Sequence, residues 1–379
     1  MDKKIRLGDV ATYINGYAFK PADRGNIGLP IIRIQDLTGN AYDLGFYDGE
    51  YPEKIEINDG DVLISWSASL GVYVWNRGKA LLNQHIFKVA FDKVDVDRQY
   101  FVYAVRHKLT EMSSKTHGAT MKHIVKKDFD DTEIPYPSIK QQVEIANVLD
   151  KAAFIIEARK KELDELDNLI KARFVALFGA PVINPKSWET APLSALILNA
   201  NNGMARRGKD ADGSIVLRLV ELQNGFIDYS APNRICLNET EKKRYELVDN
   251  DFLFARVNGN PDYVGRCAVF KGIGEPVFHN DHIIRVHFDE TKLNGCFTSV
   301  LLNSDYGKRQ MREQIKTSAG QYTISQDGIG AIMTILPSME LQNQFAAFVK
   351  QTDKSKFAVQ KALDEAQLLF ESLMQKYFG

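Results

Sequence analysis

Residues 57–63 of this 379-residue chain read INDGDVL, and residues 247–253 repeat the pattern as LVDNDFL. In both stretches a turn rich in Asn, Asp and Gly precedes a short apolar run, which is typical of a turn that leads into a buried strand. Either stretch could arise by chance if it stood alone. The flanking sequence therefore decides whether the chain contains a repeat.

Further segments recur in the same order on both sides of these stretches. The pairs are IIRIQDL (31–37) with VLRLVEL (216–222), NQHIFKV (83–89) with NDHIIRV (280–286), Pro137-Ser138 and Gln142 with Pro337-Ser338 and Gln342, and Phe178-Gly179 with Phe378-Gly379. The offset between partners grows from 185 to 190, 197 and finally 200, where it stays constant. Five ordered matches indicate a tandem duplication of 179 and 200 residues, with insertions in the loops of the second copy.

Each copy is predicted to begin as a mixed α/β region and to end in one long helix. Within the α/β regions a helix is expected over 98–109 in the first copy and over 297–314 in the second, followed by polar loops at 115–123 and 316–323. No Gly or Pro occurs between Ser138 and Leu177, and apolar residues recur there every seven positions, as in a coiled coil. The predicted pairing residues are Leu149, Ile156, Leu163, Ile170 and Leu177 in the first copy and Val349, Leu363, Phe370 and Tyr377 in the second. We expect the two helices to pair with each other. Two independent core helices are the alternative.

The predicted fold class is α+β, an internal repeat of two tandem α/β domains that are each followed by a long helix. The expected boundaries are 1–137 for the first α/β domain, 138–179 for the central helix, 180–337 for the second α/β domain and 338–379 for the C-terminal helix. A Pro-punctuated linker at residues 180–188 ends the first helix.

Composition excludes several classes of protein. The 48 Lys and Arg residues balance 49 Asp and Glu, so a uniformly basic polyanion binder is disfavoured, although local basic patches are not. No secretory signal or apolar membrane segment is apparent, so we expect a cytoplasmic protein. Cys236, Cys267 and Cys296 are odd in number and far apart, which predicts buried reduced thiols rather than disulfides or a zinc site.

Motifs for catalysis and metal binding are weak. The segment Asn260-Pro261-Asp262-Tyr263 is similar to a loop of amino-methyltransferases, but no Gly-rich loop for a methyl donor precedes it, so a surface turn is favoured. His279 and His282 lack a third ligand at a usual spacing, and a structural role is favoured over a metal site. No phosphate-binding loop occurs. We expect no catalytic residue, no metal and no cofactor in this chain.

Positive charge concentrates at equivalent places in the two copies. Residues 106–127 contain six Lys or Arg against one acidic residue, and residues 306–325 contain four against one, Glu313. Lys and Arg suit phosphates, while Asn, Gln and His suit base edges. The candidate DNA-binding residues are Asn15, Tyr17, Lys115, His117, Lys122 and His123 in the first copy and Asn201, Arg206, Arg207, Lys316, Gln321 and Tyr322 in the second. A solvated basic surface is the alternative. Arg33 and Arg218, beside Asp36 and Glu221, are interpreted as structural ion pairs.

Over essentially its whole length the chain resembles the specificity subunit of type I restriction–modification systems. The motifs that carry the resemblance are NGYAFK (15–20), the strand around Arg33, GDVL (60–63), the two helix entries at 137–142 and 337–342, the Phe-Gly helix ends and NPKSW (184–188). The resemblance implies two target-recognition domains, each reading one half of an asymmetric bipartite DNA site. It also implies that the helices form an antiparallel spacer that sets the distance between the half-sites.

The same resemblance implies partners. Two modification subunits would bind the spacer helices and methylate adenine with S-adenosylmethionine, and motor-nuclease subunits that need ATP and magnesium would complete the complex with double-stranded DNA. A protein–protein scaffold is the alternative function. A stand-alone DNA methyltransferase is a further one, against which the missing donor loop argues.

Overall fold

The structure is a computed structural model that describes residues 3–40, 43–115, 124–318 and 320–379. The first copy consists of β1 (Lys4–Arg6), α1 (Leu7–Val10), β2 (Thr12–Asn15), β3 (Leu29–Ile32), α2 (Ile34–Thr38), β4 (Gly45–Tyr47), β5 (Glu56–Ile57), β6 (Val62–Ser65), β7 (Gly71–Val74), β8 (Ala80–Leu82), β9 (Ile86–Ala90), α3 (Arg98–Lys115), α4 (Lys126–Asp130), β10 (Glu133–Pro135) and α5 (Ile139–Phe178).

The second copy follows the same plan. It consists of β11 (Glu189–Pro192), β12 (Ile197–Asn202), β13 (Ser214–Leu217), β14 (Arg234–Ile235), α6 (Glu239–Tyr245), β15 (Phe252–Ala255), β16 (Val257–Asn258), β17 (Cys267–Val269), β18 (Val277–His279), β19 (Ile283–Phe288), α7 (Gly295–Asn303), α8 (Asp305–Gln314), β20 (Lys316–Ser318), β21 (Gln321–Thr323), α9 (Gln326–Gly330), β22 (Met333–Leu336) and α10 (Met339–Phe378).

The largest antiparallel sheet and the parallel strand pair recur in both copies, which confirms the mixed α/β character. A four-stranded antiparallel sheet has the order β2-β9-β6-β7 in the first copy and β12-β19-β15-β17 in the second. A second sheet contains a parallel pair in each copy, β3 with β8 and β13 with β18. A two-stranded sheet, β1-β10 or β11-β22, closes each α/β region just before the long helix begins.

The long helices repeat their burial pattern at an offset of 200 residues. Gln142 and Gln342 are buried, as are Ala152 and Thr352, and most of the exposed positions between them also match. Every predicted pairing residue lies on the buried or half-buried side of its helix. At 40 residues each, the helices extend for about 60 Å. The seven-residue rows therefore identified the buried face from local sequence alone.

The chain forms two compact units that do not follow the order of the copies. The first unit contains Met1–Lys161 and Gln360–Gly379, and the second contains Glu162–Val359. Within the second unit, Lys356 Nζ lies 2.6 Å from Asp167 Oδ1 and the rings of Phe345 and Phe174 are 5.5 Å apart, so the helix segments run antiparallel. Within the first unit, the last turns of α10 share a core with Leu149 of α5. Each helix thus contributes its two halves to different units.

The aspartate directly before strand β6 and its equivalent before β15, Asp61 and Asp251, have the same structural role. Asp61 accepts a hydrogen bond from the backbone N–H of Asn58 and pairs with Lys88 at 2.9 Å. Asp251 accepts one from the backbone of Val248 in the same way and is 2.9 Å from His287 Nδ1. In both copies the carboxylate closes the turn before the strand and faces a cation of the neighbouring strand, Lys88 in the first copy and Arg285 at 3.7 Å in the second, which explains its recurrence.

A buried glutamine fixes the start of each long helix. Gln142 Oε1 accepts a hydrogen bond from the backbone N–H of Asp97, and its Nε2 donates to the Pro137 carbonyl, both at 2.9 Å. Gln342 makes the equivalent bonds with Asn294 and Pro337, both at 2.8 Å. Since both side chains are fully buried, these bonds satisfy backbone groups that have no access to water.

Ion pairs and the linker agree with the sequence analysis. Arg33 Nε lies 3.0 Å from Asp36, and Arg218 Nη2 lies 2.5 Å from Glu221, as expected of structural pairs. In the linker, Asn184 bonds both backbone groups of Trp188.

Three expectations about local structure were wrong. The single helix expected over 297–314 is broken into α7 and α8, because the Ser304 hydroxyl caps the second helix by accepting from the Gly307 backbone. The loop expected over 316–323 contains the paired strands β20 and β21. Cys236 is exposed rather than buried, whereas Cys267 is buried and Cys296 is half-buried.

Candidate nucleic-acid interface

The hairpin β20–β21 presents two of the candidate residues in the second unit. Strand β21 pairs with Val257 and Asn258 of β16, so β16, β21 and β20 form a three-stranded sheet. In the chain, β16 follows directly after β15 of the four-stranded sheet. Lys316 and Gln321 are exposed on this hairpin. Tyr322 is half-buried and packs against the core, so its ring helps to hold the hairpin in place.

A polar cleft of about 350 Å³ opens beside this hairpin. It is lined by Asn202, Arg256, Lys316, Thr323, Ile324, Ser325, Gln326 and Asp327. Arg256 is held from behind, because its Nη1 donates to the Asp281 carbonyl at 3.0 Å and its backbone N–H donates to the His282 carbonyl at 2.8 Å. Hydrogen-bond donors and acceptors therefore converge on one cleft next to an exposed lysine.

The loop after β12 carries the two candidate arginines, and both are engaged in ion pairs. Arg206 lies 3.2 Å from Glu241, and Arg207 lies 2.7 Å from Asp281. Both side chains remain exposed at the surface, so an incoming phosphate could compete with these carboxylates. Asn201 is half-buried and donates to the Arg244 carbonyl at 3.2 Å, which gives it a role within the unit.

In the first unit the described candidates lie at the end of β2. Asn15 and Tyr17 are exposed, and the Tyr17 ring begins an aromatic row with Phe19 at 5.0 Å and then Tyr47 at 5.1 Å. This row gives Tyr17 a fixed orientation at the surface. The side chain of Lys115 and the residues His117, Lys122 and His123 lie outside the described residues.

The strand ends next to these loops supply residues that the sequence analysis did not select. Trp66 follows β6 directly and Arg256 follows β15, at the same offset of 190 as the repeated stretch that precedes them. That constant offset was a usable signal. It was missed because Trp66 and Arg256 have different chemistry and therefore do not look like partners in a repeat.

Burial favours the neutral form of two histidines, His107 and His279. It lowers the pKa of His279 to about 4 and lowers the pKa of His107 as well, because the charged imidazolium loses its hydration. His279 Nδ1 lies 3.3 Å from the Tyr245 carbonyl within the core, which fits the structural role favoured for it. These two histidines therefore add no positive charge to the surface at neutral pH.

Other candidate sites from the sequence find ordinary structural explanations. Asn260 caps a short 3-10 helix at Pro261–Tyr263, and Asp262 pairs with Arg312. Over the described ranges, no group of three or more His, Cys, Asp or Glu residues is arranged to hold a metal ion. Within the same ranges, no helix is both long and apolar enough to span a membrane.

Comparisons with known proteins give a consistent result. The family model for the type I restriction modification DNA specificity domain matches residues 2–168. The StySPI specificity subunit of Salmonella potsdam, a type I restriction enzyme component, is 27% identical over 98% of this chain and 87% of its own length. The EcoKI specificity subunit of Escherichia coli strain K12 is 24% identical over 98% of this chain and 87% of its own.

Solved structures show the same fold. The crystal structure of the S subunit of a type I restriction-modification system from M. genitalium has a TM-score of 0.58 and 14% identity. The alignment covers 100% of this chain and 96% of that one. The likeness in fold therefore extends over the whole of this chain.

Proposed function

We infer that this chain is a specificity subunit of a type I restriction–modification system, because the matching family model and the similar curated relatives are all of that kind. It is the subunit of such a complex that binds DNA sequence-specifically and reads an asymmetric bipartite site. The observation that carries this function is the duplicated unit with an exposed polar and basic surface at the same strand ends in each copy. Two similar but chemically different surfaces suit two different half-sites.

Sequencing of methylated adenines in the host genome, with and without this chain, tests the function. The expected result is that methylation disappears from one bipartite motif when the chain is deleted and returns when it is supplied again. An unchanged set of methylated motifs in the deletion strain would refute the function. Sequence-specific retention of DNA by the chain with its modification partner separates DNA reading from the alternative of a protein–protein scaffold.

Exposed apolar side chains on the long helices support docking of two modification subunits, one on each unit. Phe154 of α5 is 75% exposed in the first unit, and Phe357 of α10 is 76% exposed in the second. Leu169 and Leu369 are also exposed and occupy equivalent positions in the repeat. A large apolar side chain held in water on a rigid helix is favourable for a partner to cover.

Single and double substitutions of the two phenylalanines test this docking. Phe154→Ser and Phe357→Ser should each reduce the mass of the purified complex by one modification subunit, and the double variant should lose both. Ile27→Ser is the matched control, because Ile27 is 74% exposed but lies outside the helices. Full stoichiometry in the double variant would contradict docking at these residues.

The catalytic steps are assigned to the modification and motor subunits. In this proposal the chain has no catalytic role, S-adenosylmethionine binds the modification subunits, and ATP with magnesium serves the motor subunits of a cytoplasmic complex. Calorimetric titration of the isolated chain with S-adenosylmethionine should give no binding heat, whereas the complex with modification subunits should give saturable binding. Saturable binding by the isolated chain would instead favour the stand-alone methyltransferase.

A further inference from the structure

The internal repeat separates residues that the fold requires from residues that are free to differ. Asp61 and Asp251 close the same turn, and Gln142 and Gln342 hold the same helix start, so these residues are the same in both copies. A residue that occupies an equivalent backbone position but has different chemistry is not fixed by the fold. Such positions are candidates for reading different DNA sequences in the two half-sites.

Trp66 and Arg256 occupy such an equivalent position. The backbone N–H of Trp66 donates to the His85 carbonyl at 3.3 Å, and that of Arg256 donates to the His282 carbonyl at 2.8 Å. Their own carbonyls accept from Ile124 at 3.0 Å and from Ile324 at 2.9 Å, respectively. The backbone geometry is therefore the same, while an indole replaces a guanidinium.

The neighbouring positions differ in the same concerted way. After Ile324 the cleft continues with Ser325, Gln326 and Asp327, whereas Val125, Lys126 and Lys127 follow Ile124. Asn202 of the cleft corresponds to Asn15, because each precedes the glycine whose N–H bonds the start of β19 or β9. Asn202 and Ile324 are thus shared by the two copies, whereas Arg256, Ser325, Gln326 and Asp327 are replaced in the first copy by residues of different chemistry.

The composition of the cleft favours the edge of a base over a phosphate. Arg256 and Lys316 supply donors, whereas Asp327 and the amide oxygen of Gln326 supply acceptors. Asn202 Oδ1 accepts a hydrogen bond from Gln326 Nε2 at 3.3 Å, which orients that amide. A site for a phosphate alone gains nothing from a carboxylate, whose charge repels it. Base edges in the major groove present donors and acceptors together, and arginine is the usual partner of the O6 and N7 atoms of guanine.

We propose that Arg256 determines specificity by reading a guanine in the half-site bound by the second unit, and that Trp66 takes the corresponding place in the first unit. This inference rests on the proposed DNA-reading function. Trp66 is half-buried, stacks on Phe87 at 5.5 Å and meets His85 edge-on at 5.0 Å, so its ring has a fixed orientation. An indole in this place contacts an apolar base edge such as the thymine methyl group. The two half-sites are therefore read with different chemistry at one shared position of the fold.

The test is the motif methylated by the complete complex that carries Arg256→Gln. Glutamine pairs with the N6 and N7 atoms of adenine, so one position of one half-site should change from guanine toward adenine. The expected loss of preference for guanine there is roughly 5- to 100-fold, and the other half-site should stay unchanged. Trp66→Leu should alter a position in the other half-site only.

Controls separate the possible outcomes. Arg309→Gln removes an exposed arginine of α8 that does not line the cleft and should leave the motif unchanged. If Arg256→Gln weakens binding at all sequences and lowers the salt dependence while the motif is retained, Arg256 contacts a phosphate and the proposal is overturned. Should Arg256→Gln fail to fold, as judged by its melting temperature, Arg256→Met must relax the same position, and an unchanged motif overturns the proposal. A wild-type complex without sequence preference would instead refute the underlying function.

Discussion

Substitution of Phe378 by alanine tests the assignment of the end of α10 to the first unit. Phe378 is buried, with its ring centroid 5.2 Å from that of Tyr100 and 6.2 Å from that of His107. Removing a buried phenylalanine ring costs about 3–5 kcal/mol through lost burial and the cavity left behind. This is a large share of the roughly 5–15 kcal/mol that stabilises a typical domain.

Hydrogen exchange of the full-length Phe378→Ala variant, followed by mass spectrometry, shows which segments lose stability. Where exchange requires cooperative opening of the first unit, a loss of about 3–5 kcal/mol in the free energy of opening lowers the protection factors by roughly 100- to 1000-fold or more. The effect should appear in α3 and in α5 up to Lys161, although these segments lie more than 200 residues before Phe378 in the sequence.

The matched control is Phe178, which occupies the position equivalent to Phe378 in the first copy. Phe178 is buried, and its ring lies 4.7 Å from Phe297 and 5.5 Å from Phe345 in the second unit. Phe178→Ala should therefore lower protection in α7 and in the first half of α10. The reasoning fails if Phe378→Ala leaves α3 protected, or if it lowers protection in the second unit instead.

Three further predictions concern the glutamine, a buried histidine and the helices. Gln342→Leu should cost about 3 kcal/mol in chemical denaturation because its backbone partners lose their bonds, whereas the exposed Gln344→Leu should change little; similar midpoints for the two would contradict the buried role. Because the pKa of His279 is about 4 when folded and near 6.5 when unfolded, its neutral form stabilises the fold fully above pH 6.5, and about 3 kcal/mol is lost as the pH falls to 4. His279→Leu should flatten the urea midpoints between pH 7 and 4, since leucine stands at the equivalent Leu82; an unchanged slope would exclude His279 as the cause. Insertion of seven residues into both long helices, after Lys161 and before Lys361, keeps the seam in register and should change the half-site spacing of the methylated motif but not the half-sites; an unchanged spacing would refute the spacer function.

Part of the candidate interface could be predicted from the sequence, and the rest depended on long-range pairing. Lys316 and Gln321 were selected from a basic segment, and both are exposed on a hairpin beside a cleft. Arg256 was not selected, because it lies 60 residues earlier and reaches the cleft only through the pairing of β16 with β21. Asn201 was selected for its amide, which the structure engages with a backbone carbonyl. A local pattern does not reveal which polar groups the fold itself uses.

The sequence by itself determined the duplication, the long helices and the buried face of each helix. These features follow from local periodicity, since a seven-residue repeat places the same side of a helix inward wherever its partner lies. Only the tertiary structure decided which half of each helix belongs to which unit. Phe178 packs into the core of the α/β region that follows it in the chain, whereas Phe378 packs into the α/β region of the first copy, more than 200 residues before it. Burial of an apolar side chain is non-directional, so the sequence encodes that these rings are buried but not which core receives them.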